Sequence, residues 1–110
     1  MMVGVTRRLF QGVVSGNAGA TNTFTVSVKT TIRGIWLNNR SAASVEFSMA
    51  VVPNGQTKGV QHELLSAMEV VGKIPAIDGD VLNLEAGDTV HLWCNTANVL
   101  NCYISGMEME

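Results

Sequence analysis

Apolar and polar residues alternate in short runs along most of the chain, with no sustained helical period. The runs cover residues 8–14, 23–30, 32–38, 45–52, 70–77, 81–84, 90–95 and 100–107. Clusters rich in Gly, Asn, Asp and Ser separate them, including Ser15-Gly16-Asn17-Ala18-Gly19, Pro53-Asn54-Gly55, Asp78-Gly79-Asp80 and Ala86-Gly87-Asp88. This predicts an all-β fold of about eight short strands. One open sheet of that many strands would leave an apolar face in water, so two antiparallel sheets packed as a jelly-roll-like β-sandwich are expected.

Period-two alternation assigns faces. Phe24, Val26 and Val28 share one side of their run, and Thr25, Ser27 and Lys29 share the other. Val45, Phe47, Met49 and Val51 likewise oppose Glu46, Ser48 and Ala50. Val90, Leu92 and Cys94 point one way, as do Leu100, Cys102 and Ile104, which places both cysteines on apolar faces. If the last two runs pair about a turn near Asn98, Cys94 lies opposite Cys102; two core thiols are expected, with a cross-strand disulfide as the alternative. Within residues 56–68, His62, Leu65 and Met68 with Ala67 could form one or two helical turns. Gly59-Val60 before and Val70-Val71 after instead favour a long loop with an irregular edge strand, and the stretch is left unassigned.

Length bounds the picture: 110 residues make one domain, residues 1–110, able to bury roughly two-thirds of its unfolded surface. Residues 1–8 are a candidate N-terminal arm. Hydrophobic residues are 46% and charged residues 15%, so the chain packs rather than staying disordered. Apolar runs stop at four or five residues, which predicts neither a membrane span nor an export signal and favours reduced thiols. Net charge is −2, and the seven Lys and Arg are scattered apart from Arg7-Arg8, so no nucleic-acid partner is expected.

Candidate chemistry is sparse. No nucleophile elbow, phosphate loop or dinucleotide fingerprint occurs, and an enzyme is not expected. His91 and Cys94 form the best metal pair, with Cys102 and His62 as distant additions, but alternation puts His91 and Cys94 on opposite faces. Glu85 and Asp88, with Asp78 and Asp80, suggest calcium ligands; a tight turn with Gly87 at positive φ explains them better. No metal or cofactor is therefore predicted. More informative is the third strand, Ile32-Arg33-Gly34-Ile35-Trp36-Leu37, which is apolar on both faces. Ile35 and Leu37, with His91, Trp93 and Tyr103 on the last two strands and Arg7 and Arg8 on the arm, are the predicted subunit interface.

A set of ordered elements spans residues 23–108: Ile32-Arg33-Gly34-Ile35-Trp36-Leu37-Asn38-Asn39 before a Ser-Ala turn, then Val51-Val52-Pro53-Asn54-Gly55. Leu84-Glu85-Ala86-Gly87-Asp88-Thr89-Val90 follows, then Asn95-Thr96-Ala97-Asn98 and the final Ile104-Ser105-Gly106-Met107-Glu108. In this order they resemble small β-sandwich virion accessory proteins of tailed bacteriophages. The resemblance implies a non-enzymatic structural subunit of the virion, assembled in the host bacterial cytoplasm and placed on the capsid as decoration or in the tail or neck apparatus. It implies a homo-oligomer, with a trimer as the expected form, in contact with major capsid or tail proteins. The alternative is a carbohydrate-binding module that holds host glycans through Trp93, His91 and Tyr103.

Overall fold

The computed structural model describes residues 4–17, 21–72, 76–78 and 82–109. Within these residues, strands β1 (Gly4–Val13), β2 (Asn22–Thr25), β3 (Thr30–Asn39), β4 (Val45–Val52), β5 (Glu63–Val70), β6 (Ala76–Asp78), β7 (Leu82–Leu84), β8 (Thr89–Cys94) and β9 (Leu100–Met109) form two antiparallel sheets. Sheet A has the order β1-β9-β3, with β6 and β7 both on the far side of β3; sheet B has the order β2-β8-β4-β5. Leu37↔Ala76 and Thr30↔Leu84 lie along one edge of β3 with registers one residue out of step. β6 and β7 thus occupy the same edge of sheet A in succession. With that edge counted once, the described residues form eight strands that alternate between sheets in jelly-roll order, except that β4 and β5 stay in one sheet.

The expected two-sheet sandwich is the architecture found, and its core is the set of side chains that alternation turns inward. Ile32, Ile35, Leu37, Leu84, Leu100, Cys102 and Ile104 of sheet A meet Val45, Phe47, Met49, Val70, Val90, Leu92 and Cys94 of sheet B. Each large side chain so buried contributes about 1.5–3 kcal/mol. Two departures from strict alternation shape this core. β3 shifts register between Ile32 and Gly34, so Ile32 and Ile35, three apart, both face inward. β5 pairs Leu65 with Met49 and Met68 with Phe47, while Ala67 adopts a positive φ of 54° that takes up the extra residue.

The stretch 56–68, expected as a loop with an irregular edge strand, is a loop with a single 3-10 turn at Val60–His62 followed by most of β5, a register-shifted edge strand of sheet B. Other expectations are corrected. The expected strand 70–77 does not exist as one element: β5 ends at Val70, and Ala76–Asp78 pairs with β3 in the other sheet. Residues 4–8 are not a free arm, because they pair with β9 from Gly4↔Met109 to Arg8↔Ser105. β8 and β9 lie in different sheets, so Cys94 is the register partner of Phe47 and Cys102 that of Leu37 and Gly12; both are buried free thiols. Residues 1–3, 18–20, 73–75, 79–81 and 110 lie outside the described residues, and with them part of the expected strand 70–77 and of the Asp78-Gly79-Asp80 turn.

Candidate functional site

The two outer faces of the sandwich differ. On sheet B, the connection from β4 to β5 folds back over the sheet and covers it. Lys58 Nζ stands 4.2 Å from the Trp93 ring centroid, a cation–π contact that pins the connection to β8. Gly59 donates its N–H to His62 Nδ1 at 2.9 Å, so the hydrogen of the ring sits on Nε2 and is donated to Gln56 Oε1 at 3.0 Å. Beneath lie Ser48 and Ala50, buried although alternation turns them away from the core; Ser48 Oγ accepts the N–H of Ala67 at 2.9 Å. The half-buried face expected for β4 is therefore a second covered layer. His91 is half-buried beside it, with Nδ1 3.1 Å from Thr21 Oγ1. Burial first, and then the neighbouring Lys58 and His62, hold its pKa below the usual histidine range.

On sheet A the outer face is open. Three strands set side chains in two rungs: Gln11, Tyr103 and Trp36 are register neighbours across β1, β9 and β3, as are Val13, Asn101 and Asn38. Trp36 is 54% exposed and Tyr103 38%, and the rungs bound a cleft of about 470 Å³. Two guanidinium groups fix the amides at its ends: Arg8 Nη1 donates to Gln11 Oε1 at 3.0 Å, and Arg40 Nε donates to Asn101 Oδ1 at 3.2 Å.

The predicted site residues do not come together. Ile35 and Leu37 are 2% exposed in the core, because the register shift in β3 turns them inward; they are not interface residues. Arg7 and Arg8 lie exposed on β1, Arg7 in an ion pair with Glu108 and Arg8 against Gln11. His91 and Trp93 are together on the outer face of sheet B and Tyr103 is on that of sheet A, so the sandwich separates Tyr103 from the other two and no platform joins all three. Stacked sheets lie about 10 Å apart before the outer side chains are counted.

His91 does face away from Cys94, as alternation required. Among the described residues no three His, Cys, Asp or Glu side chains converge as a metal set would need. Asp88 takes the turn role: its Oδ2 accepts the N–H of Glu85 at 2.9 Å, its Oδ1 that of Asn54 at 3.1 Å, and Gly87 holds φ at +91°.

Sequence reasoning missed Trp36, Gln11, Asn38 and Asn101 as one surface and Lys58 and His62 as another. The parity of Tyr103, Asn101, Trp36 and Asn38 was readable, but which strands stand side by side was not. Compared with known proteins, the chain matches no protein-family model and no curated sequence.

Proposed function

We propose that the chain is a non-enzymatic structural or accessory subunit of a tailed-phage particle, seated as a homo-oligomer on the capsid surface or in the tail or neck apparatus. The observation that carries the reading is the jelly-roll connectivity joined to an uncovered apolar edge. Viral capsid domains are among the recurrent uses of this connectivity, an argument by analogy of fold. Here the edge strand of sheet B leaves Leu64 50% exposed, and Val60 in the turn just before it is 84% exposed. Apolar side chains at a sheet edge are what a repeated subunit contact covers. The ordered elements that resemble those of phage accessory proteins also support it, since they fall on β3, β4, the β7–β8 and β8–β9 turns and the end of β9.

The mechanism is mechanical. Symmetric copies multiply each weak contact, so a modest interface repeated around a ring gives durable assembly. Other virion proteins, the major capsid or tail proteins, are the further partners. Light scattering after size exclusion tests the assembly: a trimer or larger ring is expected for the native chain. Combined Val60→Asp and Leu64→Asp substitutions are expected to give monomers that melt cooperatively. Peptides of the chain should appear by mass spectrometry in particles purified from a culture propagating the phage that encodes it. A native chain that stays monomeric at every concentration and is missing from those particles overturns the reading.

A further inference from the structure

The open face of sheet A carries an inference that stands apart from the virion reading. We infer that the cleft bounded by Trp36 and Tyr103 binds a neutral saccharide, with the Trp36 indole as the stacking platform and the amide N–H₂ groups of Gln11 and Asn101 as oriented donors.

Its size is that of a small-molecule site, about 470 Å³ against a usual range of roughly 300–1,000 Å³. Its chemistry selects the ligand class. The side chains around it are two aromatics, three amides and Val13, and none carries a formal charge. Among the described residues, the guanidinium groups at the ends of the cleft, those of Arg8 and Arg40, are turned onto the carbonyl oxygens of Gln11 and Asn101 and not toward an entering phosphate or carboxylate.

Those same two bonds decide what the amides offer. An amide whose oxygen already accepts from arginine presents its N–H₂ to whatever enters the cleft. Gln11 and Asn101 belong to adjacent rungs on two neighbouring strands, with Tyr103 between Gln11 and Trp36. A pyranose has one apolar C–H face and a rim of hydroxyl and ring oxygens. Laid on the half-exposed indole, it meets donors along that rim, while the Tyr103 hydroxyl and Asn38 serve oxygens as donor or acceptor. The strands hold this arrangement in place without a ligand, so little ordering opposes binding.

Two further substitutions separate recognition from structure. Gln11→Glu and Asn101→Asp keep an oxygen for Arg8 and Arg40 and replace each N–H₂ donor by a second, negatively charged acceptor oxygen. The experiment is a glycan array of neutral hexose and N-acetylhexosamine oligosaccharides beside sialylated and sulfated ones. It is followed by NMR titration of the full chain with the best neutral glycan.

We expect binding to neutral glycans and a ligand-induced shift of the Trp36 indole N–H resonance. Trp36→Ala should weaken affinity at least tenfold, and so should Gln11→Glu combined with Asn101→Asp, with melting temperature and solution mass unchanged. Absence of binding on the array and at millimolar glycan in the titration overturns the inference. So does selective binding of the anionic glycans, or unchanged affinity in Trp36→Ala. A fall in solution mass caused by Trp36→Ala also overturns it, because a second copy would then occupy the cleft. The virion reading is untouched by these outcomes, since its own variants lie on the edge of sheet B.

Discussion

Asn39 on β3 donates from Nδ2 to the carbonyl oxygen of Val70 at 3.0 Å, a side-chain bond that ties sheet A to the end of β5 in sheet B. The same nitrogen donates to the Ala43 carbonyl at 2.6 Å, and Asn39 Oδ1 accepts from the N–H and the hydroxyl of Ser41. Each hydrogen-bonding group of a fully buried amide is therefore used. Asn39→Ala leaves the Val70 carbonyl and the Ser41 N–H without this partner, while the Ala43 carbonyl keeps the Ser41 hydroxyl. We expect a loss of about 2–4 kcal/mol in urea unfolding. Asn39→Asp keeps the acceptor and forfeits the donors, so it should be destabilising as well.

The turn between β7 and β8 yields a second expectation. Asp88 accepts two backbone N–H groups, from Glu85 and from Asn54, and so fastens this turn to the one after β4. Asp88→Ala should cost about 1–2 kcal/mol, with Asp88→Asn, which retains one oxygen, falling between it and the native chain. Gly87→Ala places a side chain at φ +91° and sets a Cβ 2.6 Å from Asn54 Cγ. A loss of at least about 1 kcal/mol is expected, read as a lower melting temperature.

Stability should depend on pH through His91. Its folded pKa lies below the ordinary value of 6.5, with burial the main cause and Lys58 and His62 adding to it. Between pH 6.5 and the depressed folded value, the unfolded chain takes up a proton that the folded chain does not. This contribution is complete above pH 6.5 and is lost as pH falls through that window. Urea midpoints measured at successive pH values should decline on the acid side of 6.5, and His91→Gln should flatten that decline. A native slope matched by His91→Gln would remove His91 as the cause.

The thiols should be inert in the folded chain. Burial pushes the Cys102 pKa up to about 12, leaving about one part in ten thousand as thiolate at pH 8. Cys94 is equally enclosed and donates from Sγ to the Thr96 carbonyl at 3.1 Å. Ellman's reagent should find well under one thiol per native chain and both after denaturation. The intact mass should correspond to free cysteines.

Where alternation is regular, inner and outer faces were readable from residues alone. Val90, Leu92 and Cys94 face the core and His91 and Trp93 do not, as the pattern of β8 required. It failed at the two register shifts. Ile32 and Ile35, like Leu65 and Met68, stand three apart, a spacing that suits a helix as well as a strand; only the bulges put each pair on one face. For that reason β3 looked apolar on both sides and β5 resembled nothing regular.

From the sequence alone came the all-β class, the two-layer sandwich, most of the strands and the turn role of Asp88. These follow from local causes, namely period-two burial and the conformational habits of Gly and Asp. Tertiary structure alone decided which strands became neighbours. Jelly-roll connectivity sends β8 and β9 to different sheets, which parted Cys94 from Cys102 and Trp93 from Tyr103. It also brought Gln11, Tyr103 and Trp36 into one rung from positions far apart in the chain. Register between distant strands depends on packing and bulges across the whole sandwich, and no short window of residues encodes it.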